Sequence, residues 1–252
     1  MTIDKPGVGS LPGLRRLWQQ AFGDSAEFID GFFRTGFSRE RCRCAETEGQ
    51  VAAALYWFDC LWQDRKIAYI YAVATEKDFR GKGVCRALME DTHRHLQALG
   101  YAGAVLVPSE EGLFALYGGF GYRSFCPMKT LDITPGEEKA SVRVIRAEEY
   151  AKLRAERLPR GGIVQEGDTL SFLASYAGFY VAETGLFCAA REGDTLYFQE
   201  YLGDPEALPG IVAALDGKRA KVRLPGGDKP FAMYRSFTED GQLPSYLGIA
   251  LD

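Results

Sequence analysis

The chain has 252 residues, of which 46% are hydrophobic and 25% charged, and its formal net charge is −4. This length allows two hydrophobic cores. The negative charge argues against general binding to nucleic acid or acidic membranes, because contact with phosphate groups needs a basic face. No apolar run approaches the roughly 18 residues that span a bilayer, and the N-terminus does not begin a signal peptide. We therefore expect a cytoplasmic protein with no nucleic-acid or membrane partner.

The six cysteines and two histidines do not form a disulfide or metal pattern. Cys42 and Cys44 are one residue apart, which is closer than the two-residue spacing of a zinc knuckle, and the other cysteines are scattered. His93 and His95 lie on different faces of a predicted helix. We therefore expect buried thiols and no metal site.

The first 75 residues predict helices followed by strands. Ser25 is a candidate N-cap for the second helix. Residues 1–10 are short and contain glycine, so a first strand there is expected to be irregular or missing. The predicted helices are 11–22 and 25–37, and the predicted strands are 41–47, 51–61 and 66–75.

A glycine-rich turn follows the third predicted strand, which is aromatic and β-branched and therefore predicted to be buried on both faces. Gly81 and Gly83 allow a tight turn with exposed N–H groups, and Arg80 and Lys82 add positive charge. From Val84 onward apolar residues recur at helical spacing, so the turn ends at a helix N-terminus, where phosphate is favoured. This segment predicts a pyrophosphate site, although two glycines can also simply shape a surface turn.

The turn resembles the acetyl-CoA loop of the GNAT superfamily of N-acetyltransferases, written Arg/Gln-x-x-Gly-x-Gly/Ala. Arg80 and Gly83 match, and Cys85 stands where the family has Gly or Ala. The patterns of a dinucleotide-binding turn and of a Walker loop are absent. The resemblance implies acetyl-CoA as the acyl donor, with its pyrophosphate on the loop and its pantetheine arm on the strand. The implied cofactor-binding residues are Val73, Ala74, Thr75, Arg80, Gly81, Lys82, Gly83, Val84 and Cys85.

A second part of the resemblance lies at residues 113–122. This segment follows a strand-like stretch at 104–108 and predicts a short helix that ends at two glycines, then a strand that starts at Tyr122. In the family a tyrosine at this place meets the departing sulfur. Tyr117 occupies the position, and the resemblance implies that it is the catalytic residue that protonates the CoA thiolate. A core tyrosine with a satisfied hydroxyl is the alternative.

The pattern breaks into turn formers and charges around residues 132–138, which predicts a domain boundary. We expect a first domain at 1–133 and a second at 134–252. The second half repeats the order of elements, but Asp204 and Glu206 stand where the first half carries basic residues. The fold class is therefore predicted as α/β with a mixed sheet, a GNAT acyl-CoA N-acyltransferase fold followed by a degenerate GNAT-like domain without a cofactor loop. Predicted strands of this half are 141–145, 179–183, 186–191, 195–201 and 219–224, and predicted helices are 147–158, 169–176 and 205–215.

The tandem arrangement resembles the enhanced intracellular survival (Eis) type of acetyltransferases. Those enzymes carry a further sterol-carrier-like domain, and we expect it to be absent here because the 252 residues are taken up by the two predicted domains. The resemblance implies an N-acetyltransferase (EC 2.3.1 type) that moves an acetyl group to a primary amine of a small molecule or peptide by direct attack. The net negative charge lies in the second half, which suits a cationic amine, although a solvated acidic surface also explains it.

Several alternatives stay open at the level of sequence. The general base is Glu76, Asp59, or a water chain through Tyr69 or Tyr71. A non-catalytic acyl-CoA sensor or partner-binding protein is the competing class, and release of free CoA with the right amine distinguishes it from an enzyme. A peptidyl or aminoacyl transferase is a further alternative that the cofactor loop disfavours. Neither the acceptor nor the oligomeric state is readable, and a homo-oligomer is compatible with the sequence.

Overall fold

A computed structural model describes residues 1–239 and 241–251 of the chain. The chain divides into two compact units, one built from Met1–Arg123 and Met233–Leu243, the other from Ser124–Ala232 and Pro244–Asp252. Each unit is thus assembled from two separate segments of chain. The domain limits of 1–133 and 134–252 stay a prediction of the sequence.

The described residues form fourteen strands and seven α-helices. The strands are β1 (Thr2–Asp4), β2 (Cys42–Thr47), β3 (Gln50–Trp62), β4 (Arg65–Thr75), β5 (Gly103–Leu106), β6 (Arg123–Phe125), β7 (Met128–Ile133), β8 (Val142–Ile145), β9 (Val164–Gln165), β10 (Gly178–Ala182), β11 (Gly185–Glu192), β12 (Thr195–Gly203), β13 (Arg219–Pro225) and β14 (Ala232–Ser236). The helices are α1 (Leu11–Phe22), α2 (Ala26–Thr35), α3 (Val84–Ala98), α4 (Glu111–Gly118), α5 (Ala147–Arg157), α6 (Asp168–Leu173) and α7 (Leu208–Ala214). Among these residues, none of the helices combines the length and the apolarity that crossing a membrane requires.

Local signals determine where α1 and α2 begin and end. Leu17 and Trp18 on one face of α1 are buried, and the helix ends at Gly23, whose φ of 72° is the left-handed conformation that glycine tolerates. The Ser25 hydroxyl accepts a hydrogen bond of 3.2 Å from the Phe28 amide, which confirms the predicted N-cap. Such a cap stabilises a helix by about 1 kcal/mol.

From β1 to β14, the sheet of the first unit has antiparallel neighbouring strands except at one pair. Its order begins β1-β2-β3-β4-β5-β14, and β4 with β5 is the parallel pair. Successive residues of β3 point to opposite faces of the sheet, and helices pack on both faces. Trp57 lies in a buried cluster with Leu88 of α3, while the ring of the adjacent Tyr56 contacts the rings of Trp18 and Phe32 on α1 and α2.

The second unit contains a sheet with the order β7-β13-β12-β11-β10-β8. Its strands are antiparallel except for β12 and β13, which run parallel. The series β8, α5, α6, β10, β11, β12, α7, β13 matches the series β1, α1, α2, β2, β3, β4, α3, β5 in type and in strand order. The repeat of element order that the sequence predicted is therefore present in the structure.

The structure differs from the sequence prediction at three strands. β1 is present, with Ile3 opposite Ala45. The strand predicted from Tyr122 is divided in two, because Cys126 adopts a φ of 52° between β6 and β7. β14 was not predicted, yet it pairs with β5 through Met233 opposite Leu106.

Candidate functional site

The parallel strands β4 and β5 pair over a short length and then separate. The paired residues are Ile67 with Gly103, Ala68 with Ala104 and Tyr69 with Val105. β4 then continues to Thr75, whereas β5 ends at Leu106. The main chain of β4 after Tyr69 is therefore not paired with β5. Backbone N–H and C=O groups in such a stretch are available to a ligand that carries amide groups.

A β-bulge lies at the point where β4 leaves β5. Ala54 of β3 is opposite Ala74, whereas Tyr56 is opposite Tyr71, so β4 holds one residue more than β3 over this interval. Ala72 has a φ of 48°, a left-handed conformation that is uncommon for a residue with a side chain. Bulges re-aim the main chain beside them. The strand residues predicted to hold the pantetheine arm begin directly after the bulge.

The loop after β4 is open on its outer side. Gly81 and Gly83 have φ values of 72° and 79°, and a Cβ atom at either position would meet no atom within 4 Å. The Arg80 Nε donates a hydrogen bond of 3.0 Å to the Thr75 carbonyl, which ties the loop to the strand end. Neither Nη atom of Arg80 has a protein partner among the described residues. The loop therefore presents backbone and a guanidinium group to the outside.

Helix α3 begins directly at this loop, and no side chain of a described residue caps its N-terminus with a hydrogen bond. Gly83 is the N-cap residue and its carbonyl accepts a hydrogen bond of 3.0 Å from Ala87. The amides of the first turn have no carbonyl partner within the helix. Over a helix of 15 residues the backbone dipole adds partial positive charge at this end. The predicted residues from Arg80 to Cys85 thus come together as an arrangement that fits a pyrophosphate.

Tyr117, in the last turn of α4, has a mostly buried ring, whereas its hydroxyl is neither bonded to a described residue nor sealed from solvent. The residue is 7% exposed, and its ring meets the rings of Phe120 and Tyr122 edge-on, with centroids 6.3 and 6.0 Å away. The hydroxyl makes no hydrogen bond with any described residue. Burial, with a smaller contribution from Cys85, raises the pKa of Tyr117 above its usual value. The group is therefore a neutral donor at physiological pH with a hydrogen that a ligand can accept.

A buried polar chain lies behind Tyr117. The Arg235 Nη1 is 3.0 Å from the His93 Nδ1, and the His93 Nε2 is 2.9 Å from the Tyr122 hydroxyl. Because a guanidinium group only donates, Nδ1 is the acceptor and the imidazole proton is on Nε2. The Tyr122 oxygen accepts that proton, which leaves the Tyr122 hydrogen to point elsewhere. Arg235 and His93 thus hold Tyr122, the ring neighbour of Tyr117, in one orientation.

This arrangement makes the stability of the first unit depend on pH. Burial, assisted by Arg235, lowers the pKa of His93 from 6.5 to about 3. Between these values the unfolded chain binds a proton that the folded chain does not, so the free energy of unfolding falls as pH falls below 6.5. The linkage slope of about 1.4 kcal/mol per pH unit gives a loss of about 2 kcal/mol between pH 7 and pH 5.

Urea unfolding of the wild type and of His93→Gln checks this expectation. Glutamine keeps a donor and an acceptor but does not titrate, so the variant is expected to lose about 2 kcal/mol less than the wild type over the same pH range. Two parallel stability curves would show that the pKa of His93 is the same in the folded and the unfolded chain and would remove the tautomer assignment.

Cys85 is partly buried between the strand end and α4. Burial raises the pKa of its thiol, and a hydrogen bond with Thr75 and the charge of Arg86 oppose this effect. A thiol with a raised pKa is a weak nucleophile. All six cysteines are free. Cys85 therefore behaves as a small packing residue and not as the site of a covalent acyl group.

The two candidate general bases among the acids, Asp59 and Glu76, differ in their hydrogen-bond partners. Asp59 accepts a hydrogen bond from Tyr101 and forms ion pairs with Lys66 at 3.2 Å and Arg41 at 3.6 Å. Glu76, by contrast, has a buried Oε2 with no hydrogen-bond partner among the described residues. It lines a cavity of about 480 Å³ together with Thr75, Arg80 and residues of α1. Of these two acids, Glu76 is the one with a carboxylate oxygen that has no hydrogen-bond partner among the described residues.

Two features of this region were missed at the level of sequence. Arg235 was missed because β14 was not predicted. The second is an aromatic cluster on the face of α1 and α2, in which Trp18 and Phe32 have ring centroids 4.5 Å apart and Trp18 and Tyr71 5.6 Å apart. The alternation of aromatic residues in β3 and β4 was the available signal, since such pairs face each other across strands.

Comparison with known proteins agrees with this geometry. The model of the acetyltransferase (GNAT) domain matches residues 4–125. Residues 4–125 form a GNAT acetyltransferase domain. GNAT proteins use acyl-CoA and acetylate amine acceptors. The predicted resemblance and the predicted fold class, including the second sheet domain, are confirmed. No curated protein matches the sequence significantly.

Solved structures share the two-domain GNAT fold at low sequence identity. A probable N-acyltransferase from Enterococcus faecalis V583 is 16% identical with a TM-score of 0.71, over 93% of this chain and 72% of that one. Eis1 from Mycobacterium abscessus is 12% identical with a TM-score of 0.67, over 94% and 74%. A putative acetyltransferase from Pyrococcus horikoshii is 15% identical with a TM-score of 0.66, over 98% and 93%. At these identities the likeness concerns the fold alone.

Proposed function

We propose that the chain is an acetyl-CoA-dependent N-acetyltransferase that moves an acetyl group to a primary amine of a small molecule or peptide. The observation that carries the proposal is the Tyr117 hydroxyl, which lies near Cys85 at the start of α3 on a mostly buried ring and makes no hydrogen bond with a described residue. Because the hydroxyl is open to the outside and not used by the described part of the protein, it is available to a ligand. The GNAT domain gives the chemistry for which such a donor is suited.

The residues present fit acetyl-CoA as the acyl donor. The stretch of β4 from Val73 to Thr75 is paired with β3 at its last two residues but not with β5, and on the β5 side it offers main-chain groups to the amides of a pantetheine arm. The amides from Gly81 to Cys85 and the free nitrogens of Arg80 fit a pyrophosphate. Acetyl-CoA supplies a thioester, and its carbonyl carbon is the electrophile.

The roles of the chain in the transfer follow from this placement. The amine nitrogen forms a bond to the thioester carbon, and a main-chain N–H near the bulge at Ala72 stabilises the oxyanion that results. When the carbon–sulfur bond breaks, the sulfur takes the electron pair and Tyr117 donates a proton to it. The proton lost by the amine goes to Glu76. No covalent acyl-enzyme is formed, which agrees with the raised pKa of Cys85.

The role of Glu76 is tested by Glu76→Gln. We expect kcat at pH 7 to fall about tenfold, because the amine substrate loses its proton less easily without the carboxylate. The difference in kcat between wild type and variant is expected to shrink at high pH, where the amine deprotonates without help. Asp59→Asn is the control, since Asp59 is occupied by its ion pairs, and its kcat is expected to stay at the wild-type value. Equal pH profiles for Glu76→Gln and the wild type would exclude Glu76 as the base.

The cofactor loop is tested by calorimetric titration of acetyl-CoA. We expect the wild type to bind near 1 μM, about −8 kcal/mol, and Gly83→Asp to bind about thirtyfold more weakly, since its carboxylate repels the pyrophosphate. Gly83→Asn is the matched control, because asparagine has the same shape without the charge and tolerates a positive φ. Its affinity is expected to lie close to that of the wild type.

The outcomes of this titration separate charge from backbone strain. Equal weakening in Gly83→Asp and Gly83→Asn would assign the effect to the φ of 79° at this position and not to an anion. No binding to the wild type would contradict the proposed function. With binding established, release of free CoA in the presence of polyamines, amino acids, aminoglycosides or peptide N-termini distinguishes an enzyme from a non-catalytic sensor.

A further inference from the structure

The parallel strands of the second sheet separate after a short paired length, as those of the first sheet do. β12 and β13 pair in parallel from Thr195 opposite Arg219 to Phe198 opposite Val222, and the pairing then ends. β12 continues to Gly203 while it stays paired with β11 on its other side. The main chain of residues 199–203 is thus not paired with β13. It forms the counterpart of the unpaired part of β4.

A cavity of about 540 Å³ lies at this opening. Tyr201 and Leu202 of β12 and Leu224 and Pro225 of β13 line it, so the two strand ends that separate are its walls. Sites for small ligands have volumes of about 300 to 1,000 Å³. The cavity therefore has the size of a ligand site and a strand edge along which a peptide-like chain can pair.

Two cationic side chains line the cavity without acidic partners. Lys129 of β7 forms no ion pair among the described residues. Arg157, at the end of α5, has only a long contact of 3.5 Å from Nη1 to the Leu153 carbonyl. Glu183 is the one carboxylate in the lining, so the formal charge of the lining is 2 − 1 = +1. A ligand with a single negative charge balances this lining.

The same region disfavours a phosphate group. Pro205 and Pro209 remove N–H groups that a phosphate loop would need, and the Asp204 carboxylate already accepts the Glu206 amide at 3.0 Å. Helix α7, with seven residues, contributes little dipole. A carboxylate carries one charge and two planar acceptor oxygens, which suits a guanidinium group.

We propose that the second unit binds a short amide-containing carboxylate, such as an N-acylated dipeptide. Its amide chain pairs with the free edge of residues 199–203, and its carboxylate binds Lys129 and Arg157. The site uses none of the residues assigned to acetyl transfer, so the inference goes beyond the proposed function and stands independently of it.

Calorimetric titration of N-acetylglycyl-L-leucine into the full chain tests the proposal. This probe has no free amine and therefore is not an acetyl acceptor. We expect saturable binding of one molecule per chain. The C-terminal amide of the same probe is expected to bind about tenfold more weakly, because it loses a charge-assisted hydrogen bond. Inorganic phosphate at equal concentration is expected not to displace the probe.

Variants locate the site. Arg157→Gln and Lys129→Gln are each expected to weaken binding about tenfold. Lys152→Gln, which removes an exposed charge of the same helix outside the cavity, is the control and is expected to bind like the wild type. Amide hydrogen exchange is expected to slow at residues 199–203 when the probe binds.

Several results would overturn the assignment. They are the absence of saturable binding, equal affinity for the acid and its amide, displacement by phosphate, and loss of probe binding in Gly83→Asp, which would place the probe on the cofactor loop. Failure of acetyl-CoA to bind the wild type would contradict the proposed function while leaving this titration unaffected, so the two ideas fail separately.

Discussion

Tyr117→Phe is expected to lower kcat about a hundredfold while acetyl-CoA binds with unchanged affinity. The substitution removes one hydroxyl and keeps the ring together with its edge-on contacts to Phe120 and Tyr122. Because the hydroxyl has no protein partner, its removal leaves no buried group unsatisfied and costs little stability. The loss is therefore expected in the step that expels the sulfur.

The measurement compares kcat and the dissociation constant of acetyl-CoA in wild type and variant, with the best amine of the screen as acceptor. Tyr101→Phe is the matched control. Tyr101 is also a buried tyrosine of the first unit, but its hydroxyl contacts Asp59 and Trp57, away from the loop at Gly83. We expect the control to lose some stability and to keep its kcat. Wild-type turnover by Tyr117→Phe would remove Tyr117 from the chemistry.

Two variants separate proton donation from positioning. Tyr122→Phe removes the oxygen that accepts a hydrogen bond from His93 and leaves the Tyr117 hydroxyl in place. If Tyr117 is the acid and Tyr122 only orients its ring, Tyr122→Phe is expected to lower stability more than kcat. A larger loss of kcat in Tyr122→Phe than in Tyr117→Phe would assign the proton donor to Tyr122.

The turn at Gly81 and Gly83 and the helix start that follows it could be predicted from the sequence because every signal for them is local. Gly81, Gly83 and the helical spacing from Val84 onward stand within a few residues of each other, and each indicates a local backbone conformation directly. The same holds for the N-cap at Ser25. Tyr117 needed the family resemblance in addition, since burial of a tyrosine alone does not show that its hydroxyl lacks a partner.

Other parts of the site depend on contacts that are distant in sequence. Arg235 lies 142 residues after His93, and only the pairing of β14 with β5 brings them together. The bulge at Ala72 arises from the register of β3 against β4, and no residue type in either strand predicts that register. Periodicity reports which side of an element is apolar, but it does not report which distant element covers that side.

The second unit shows the same limit with charged residues. Arg154 and Glu200 look like ordinary surface charges in the sequence, yet they are 2% and 1% exposed. The Arg154 Nε and Nη2 atoms lie 2.7 and 2.9 Å from the two carboxylate oxygens of Glu200. Two tyrosines, Tyr150 and Tyr246, donate to the same carboxylate at 2.6 and 3.0 Å.

Arg154→Met is expected to lower the free energy of unfolding of the second unit by about 3 to 5 kcal/mol. The variant fills a similar volume but leaves the Glu200 carboxylate buried without its counter-ion, which is the costly state. The Gln165 side chain, which holds the Ile249 amide and carbonyl, would also lose its contact with Arg154. Urea unfolding followed by circular dichroism measures the loss, and hydrogen exchange of residues 246–251 is expected to quicken.

The double variant Arg154→Met with Glu200→Leu decides whether the cost comes from the lone charge. Removal of the lone charge is expected to restore part of the stability that Arg154→Met loses, and the rest stays lost because Tyr150 and Tyr246 no longer have their acceptor. Arg157→Met, one turn further along α5 and exposed, is expected to change stability by about 0.5 kcal/mol or less. A double variant as unstable as Arg154→Met would instead mean that the cost lies in lost hydrogen bonds, those of the guanidinium group to Ile163 and Gln165 and those of the two tyrosines to Glu200.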